Sequence, residues 1–359
     1  MKQFAWLRAG VLLAGLVLAG CGTNADQAAG GAATATPVPV ADSATATPAA
    51  TTGGGTKPLT KVVVAMGYVP NVQFAPFYVA EDKGYYAAEG LQVEFQYGQV
   101  NDLLKVVAAG DIDYANVSGD EMVPAVAQDI PVRYILTQYY RYPIAATAIA
   151  GQGPPLQAPA DLKGRKVGIP GPYGSTYIGL KALLKAGNLQ ESDIQEQSIG
   201  FTQVSALLQK QVDVAMTYSM NEPVQIKSQG KDVQVLEVSQ YMDLAAVGVA
   251  TGVKKITDNP DQVRAFVRAT LKGTVDTLAD PDAAFASSMK RTPEITGDAV
   301  ALQRAVLTAT LPFITPPAGR TPGSSDPATW QTTEAFLREI GLSNKAVDPT
   351  TLYTNEFVK

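Results

Sequence analysis

From residue 61 onward, short apolar runs alternate with longer amphipathic ones. "KVVVAM", "LQVEFQYG", "IDYANVS" and "PVRYILTQYY" are brief and rich in β-branched and aromatic residues, and they read as strands. Between them, "QFAPFYVAEDKGYYAAEG", "VNDLLKVVAAGD" and "GDEMVPAVAQD" space their apolar residues three and four apart and read as helices, with Asp102 placed to favour a first turn. A second series follows. It has a turn and strand in "DLKGRKVGIP" and a helix in "GSTYIGLKALLKAGN", capped by Ser175 or Thr176 and stopped near Gly187. A helix in "FTQVSALLQKQ", a strand in "VDVAMTY", a helix in "NEPVQIKSQG" and a strand in "VQVLEVS" complete it. Beyond Ala245 the pattern turns helix-rich, through "NPDQVRAFVRATLKGTVDTLADPDAAFASSMK" to "ATWQTTEAFLREIGL". The alternation predicts an α/β fold with a mostly parallel sheet covered on both faces.

The two series echo each other. "AAGDIDYANVSGDEMVPAVAQDIPVRYI" aligns with "LLQKQVDVAMTYSMNEPVQIKSQGKDVQVL" at Asp113-x-Ala115 against Asp213-x-Ala215. Each half then runs helix, turn, strand, and polar residues opening another helix. Two similar α/β lobes are expected, with the carboxyl ends of their strands bordering a hinged ligand cleft. The expected boundaries put lobe 1 at 59–144, lobe 2 at 145–244, and the return to lobe 1 with the C-terminal helices at 245–359. About three hundred residues exceed one ordinary core, which agrees with two lobes.

The N-terminal segment adds a compartment. "MKQFAWLRAGVLLAGLVLAGC" places Lys2 and Arg8 before an apolar stretch too short to span a bilayer, and ends in small residues and a cysteine. Residues 1–21 therefore read as a secretory signal, with Leu18-Ala19-Gly20-Cys21 resembling a bacterial lipobox whose cysteine receives lipid. Cys21 is the only cysteine, so no disulfide forms within the chain. Residues 22–58, almost wholly Ala, Thr, Gly, Pro and Ser, are expected to be a disordered tether. The net charge of −5 comes with no basic stripe, which argues against a nucleic-acid partner. The chain contains 0 histidines, which excludes imidazole as base, acid or metal ligand.

"PNVQFAPFYVAEDKGYYAAEGLQVEF", "LLKVVAAGDIDYANVSGDEMV", "DLKGRKVGIPGPYGSTY" and "VDVAMTYSMNEPV" together resemble the NMT1/THI5-like branch of periplasmic solute-binding proteins. The likeness runs from Lys61 to about Ile340. It implies a type II periplasmic binding protein that delivers a small molecule to an ABC-type permease, as a monomer and without a cofactor. Enzymes of the superfamily that make a pyrimidine use a histidine and cysteines. Their absence here implies binding rather than chemistry, with no catalytic residue and no metal site. Importer subunit and sensor domain are not separated by these residues.

The strand exits name the cleft. The first leads into Tyr68, Asn71, Phe74 and Tyr78, and the third into Asn116, Ser118 and Glu121. The fourth leads into Tyr139, Tyr140, Arg141 and Tyr142. In the second half the exits hold Tyr173, Ser175, Tyr177, Tyr218, Asn221 and Glu222. Tyr offers a ring face for stacking and a hydroxyl for a polar partner. Phe77, Tyr85 and Tyr86 are assigned to the core, and Glu121 to helix capping rather than binding. Arg141 is the one cation at these exits, and Glu222 would repel an anion. A flat, uncharged, polar-edged ring is expected, with riboflavin first, a thiamine-precursor aminopyrimidine second, and a sulfonate or nitrate third.

Overall fold

The computed structural model describes residues 58–98 and 102–359. The signal segment, Cys21 and nearly all of the tether lie outside those residues. The chain opens with β1 (Thr60–Ala65), α1 (Ala75–Asp82), α2 (Tyr85–Ala88), β2 (Leu91–Gln96), α3 (Leu103–Ala109), β3 (Tyr114–Ser118), α4 (Met122–Ala127) and β4 (Val132–Thr137). It then crosses to β5 (Ile144–Ile149), β6 (Lys166–Ile169), α5 (Gly174–Ala186), β7 (Gln195–Ser198), α6 (Gln203–Leu208), β8 (Val214–Tyr218), α7 (Glu222–Ser228) and β9 (Val233–Glu237). A return follows through β10 (Val247–Gly252), α8 (Val253–Asp258), α9 (Pro260–Ala279), α10 (Pro281–Met289), α11 (Asp298–Ile314) and α12 (Pro327–Glu339).

The strands form two five-stranded sheets, ordered β2-β1-β3-β10-β4 and β7-β6-β8-β5-β9. Each sheet has one strand running against the others. β10 pairs antiparallel with β3 and β4, and β5 pairs antiparallel with β8 and β9. Neither "IAATAI" nor "VGVATG" was expected as a strand, because Ala and Gly carry little β preference. Both are buried along their whole length, since each lies between two neighbours under helices on both faces. The short β7 (Gln195–Ser198) also went unread, being polar throughout.

The aspartates that marked the repeat do the same work in both lobes. The Asp113 carboxylate accepts the Val63 N–H of β1 at 2.8 Å, and Asp213 accepts the Lys166 N–H of β6 at 2.8 Å. Each ties the entry of a central strand to its parallel neighbour, so the duplicated Asp-x-Ala is a strand-start device. Asp113 carries an added partner, the Lys255 ammonium at 2.6 Å.

Several local expectations change. The helix from Gln73 to Gly90 is two pieces, split where Gly84 turns left-handed at φ 70°. Asp102 caps nothing; its own backbone is left-handed, at φ 56°, and its carboxylate meets Lys105 at 2.9 Å. Tyr173 takes the N-cap position of α5, which leaves Ser175 and Thr176 inside the helix and frees the Ser175 hydroxyl. Gly187 does close α5. Phe77 and Tyr86 are buried in the lobe 1 core, and Tyr86 stacks on Phe266 of α9. Tyr85 is half-buried and hydrogen-bonds Asp276. A Cβ on Gly273 of α9 would sit 2.1 Å from the Pro76 carbonyl, so α1 and α9 approach closely. One apolar cluster runs through both lobes, joined at the crossings by Tyr139, Tyr142 and Leu244.

Candidate ligand cleft

The site grows from the ends of the paired central strands. β3 ends at Ser118, and three residues on Glu121 folds back to accept the Ser118 N–H at 3.3 Å. β8 ends at Tyr218, and four residues on Glu222 accepts the Tyr218 N–H at 2.9 Å. Each lobe thus presents one carboxylate at the carboxyl end of its central strand. Both cap their own turn, the role assigned beforehand to Glu121 alone.

The neighbouring strand of each lobe supplies a tyrosine. Tyr68 follows β1 and is 38% exposed; Tyr173 follows β6 and is 57% exposed. Burial, and then the charge of Glu222 across the cleft, hold the Tyr68 phenol above its ordinary range. In the reverse direction, a Cβ on Gly174 beside Tyr173 would lie 3.9 Å from Glu121 Oε1. Each lobe therefore sets an aromatic turn against the other lobe's glutamate. Burial and then the charges of Glu121, Asp120 and Glu222 raise Tyr218 far above its ordinary range, so this phenol stands among the carboxylates of both lobes.

A residue that sequence reasoning passed over lies deepest. Asp120 is 0% exposed. Its Oδ1 accepts the Ser175 hydroxyl of α5 at 3.0 Å, from the other lobe. Its Oδ2 meets the Tyr142 hydroxyl on the first crossing, and that hydroxyl also reaches the Ser175 carbonyl at 3.0 Å. Desolvation pushes the Asp120 carboxyl up to about 6. Glu121 is raised as well, by desolvation and then by the charge of Asp120 beside it, and Glu222 is raised by desolvation. Among the described residues, none of these acids has a Lys or Arg at ion-pair distance. Only the order Ser-Gly-Asp-Glu after a strand could have drawn attention to Asp120, and it is equally the signature of a helix start.

Some expected ligand contacts belong to the scaffold instead. Tyr78 is 0% exposed, packed edge-on against Phe74 and Phe95, with its hydroxyl 3.0 Å from that of Tyr97. Phe74 is buried in the same cluster, and Asn71 caps the turn at Gln73. The half-buried Tyr140 accepts the Gly323 N–H at its hydroxyl, a contact with the C-terminal segment. Tyr177 packs against the core with Lys181 over its ring at 4.9 Å. The Asn116 amide joins Gln138 at 2.6 Å and the Gly248 carbonyl at 3.3 Å, tying β3 to β10. Asn221 spends its amide on Glu222 and Gln225. Tyr139 and Tyr142 are buried between the lobes, and Ser118 is buried at the end of β3. Of the strand-exit residues, Tyr68 and Tyr173 are exposed, and Tyr218, Glu222 and Glu121 are half-buried beside them.

The one cation expected at these exits is occupied. Arg141 lies 3.6 Å from Glu237, with its guanidinium 4.2 Å from the centre of the Phe313 ring. An acid-and-phenol lining whose one cation is paired with Glu237 suits donors of hydrogen bonds and flat rings, and disfavours anions.

The profile of the family described as NMT1/THI5 like matches residues 71–284. The chain belongs to the NMT1/THI5-like family. A member of similar length is the riboflavin-binding protein RibY of Chloroflexus aurantiacus, 43% identical over 333 residues, which are 90% of this chain and 94% of the relative. More distant is the 4-amino-5-hydroxymethyl-2-methylpyrimidine phosphate synthase of Legionella pneumophila, 22% identical over 83% of this chain and 92% of the relative. Among solved structures, the periplasmic aliphatic sulphonate binding protein SsuA of Escherichia coli superposes with a TM-score of 0.63 at 16% identity, over 81% of this chain and 91% of that one. The fold is thus that of periplasmic solute-binding proteins, with two α/β lobes. Within the family, the more similar relative binds its ligand, while the synthase performs chemistry.

Proposed function

We propose that this protein is the extracytoplasmic solute-binding subunit of an ABC-type importer and that its ligand is riboflavin. The observation that carries the ligand is the lining of the crevice. Phenols from both lobes flank buried carboxyls, on a frame 43% identical to a riboflavin-binding relative over nearly the whole chain. A flavin ring offers a broad face to Tyr68, Tyr173 and Tyr218, and an imide N–H to Glu222 or Glu121. A sulfonate or nitrate would meet two acids, Glu121 and Glu222, and among the described residues no free cation at the strand exits. Binding without chemistry fits a chain with 0 histidines. Lipid on Cys21 and the Ala/Thr/Pro tether hold the body at the outer face of the membrane, where it hands its ligand to a permease. The protein works as a monomer.

Fluorescence titration tests the ligand. Riboflavin emission is expected to be quenched at one-to-one stoichiometry, because a stacked phenol donates an electron to the excited flavin. A rise in melting temperature with an aminopyrimidine, and no quenching of riboflavin, would transfer the assignment to the thiamine-precursor reading.

A further inference from the structure

The Asp120, Tyr142 and Ser175 side chains form a buried junction where both lobes and the crossing meet. The junction has three hydrogen-bonding contacts. They run from Ser175 Oγ to Asp120 Oδ1 at 3.0 Å, between Tyr142 and Asp120 Oδ2, and from Tyr142 to the Ser175 carbonyl at 3.0 Å. The two hydroxyls supply two hydrogens between them. If Asp120 is ionised, Tyr142 must divide one hydrogen between a carboxylate and a carbonyl. If Asp120 is neutral, its own O–H goes to Tyr142, the Tyr142 hydrogen goes to the Ser175 carbonyl, and the Ser175 hydroxyl returns to Asp120 Oδ1. Of these three contacts between the lobes and the crossing, only the neutral acid fills all.

We propose that Asp120 is the latch between the lobes, and that closing the cleft takes one proton from solvent onto its carboxyl. The groups facing it are consistent with that. Glu121 lies on the same turn, Tyr142 on the crossing, Tyr218 at the end of β8 and Tyr134 on β4, all acidic or neutral. The backbone on its other side, at Ala245, is uncharged, and its carbonyl accepts the Asp120 N–H at 3.1 Å. Among the described residues no cation stabilises an ionised Asp120 in the closed form, where its further partners, the Ser118 hydroxyl and the Glu121 N–H, are neutral donors, whereas water stabilises it in the open form. The closed-form carboxyl titrates above the open-form one, so closure is favoured at low pH. That favour is lost as pH rises through about 6. With 0 histidines in the chain, no imidazole competes for the same window. The proposal does not depend on which ligand the cleft holds.

Hydrogen exchange of the ligand-free full chain, corrected for intrinsic pH dependence, reads closure at the amides around Asp120 and Ser175. Protection there is expected to be about tenfold greater at pH 5 than at pH 7. In Asp120→Asn the side-chain amide imitates the neutral acid, donating to Tyr142 and accepting from Ser175. Protection should therefore stay high and flat across the range. Ser175→Ala removes the contact between the lobes while leaving the acid, and should lower protection at pH 5 towards the pH 7 level. A flat wild-type profile overturns the latch. So does a slope that survives in Asp120→Asn, or one abolished by Glu121→Gln and kept by Asp120→Asn.

Discussion

A tyrosine that stacks on a ligand and a tyrosine that closes a core are the same side chain in different company. Tyr78 and Tyr218 show the difference. Tyr78 has Phe74, Phe95 and the Tyr97 hydroxyl around it, and nothing is left to offer a ligand. Tyr218 ends β8 among the acids of both lobes. Tyr78→Phe should leave riboflavin affinity unchanged and lower stability by about 1 kcal/mol through the lost hydroxyl contact. Tyr218→Ala should weaken binding by about 1–3 kcal/mol, on the scale of a stacked ring, in a protein that still melts cooperatively. Equal affinity for wild type and Tyr218→Ala would return that residue to the scaffold. The sequence could not separate these two, because strand-exit position was its only guide, and a buried exit looks like an open one.

The strand-start aspartates are the opposite case, legible because their effect is local. Asp-x-Ala recurs where a central strand begins, and in both lobes the carboxylate takes an N–H of the adjoining strand, from Val63 within β1 and from Lys166 at the start of β6. Removing either leaves an amide unpaired, at about 1–3 kcal/mol. Asp113→Ala should be the more damaging, since it also strands Lys255, whereas Asp213 has no such ion pair among the described residues. Denaturant unfolding of the two variants side by side checks the order; a larger loss in Asp213→Ala would contradict it. β5 and β10 were illegible for a related reason. "IAATAI" and "VGVATG" are strands because their neighbours make them so, and nothing in their own composition says as much.

At the scale of the molecule, the repeat and the alternation of elements indicate two α/β lobes, whereas the one antiparallel strand set between two others in each sheet is visible only in the fold. The anchoring proposal also belongs here. The full-length protein should partition into detergent with the membrane fraction, and Cys21→Ala should move it to the aqueous phase. An unchanged partition would remove the lipid from the account.

The sheet order carries a consequence for the sequence of assembly. Every strand of the second sheet lies between Ile144 and Glu237, so that lobe can complete its ladder as one uninterrupted piece. The first sheet cannot. Its β3 and β4 are held apart until β10 slides between them, and β10 emerges only after the entire other lobe has been made. A nascent chain therefore carries two raw strand edges in its first half, and must be kept from pairing them with another molecule until residue 252 arrives.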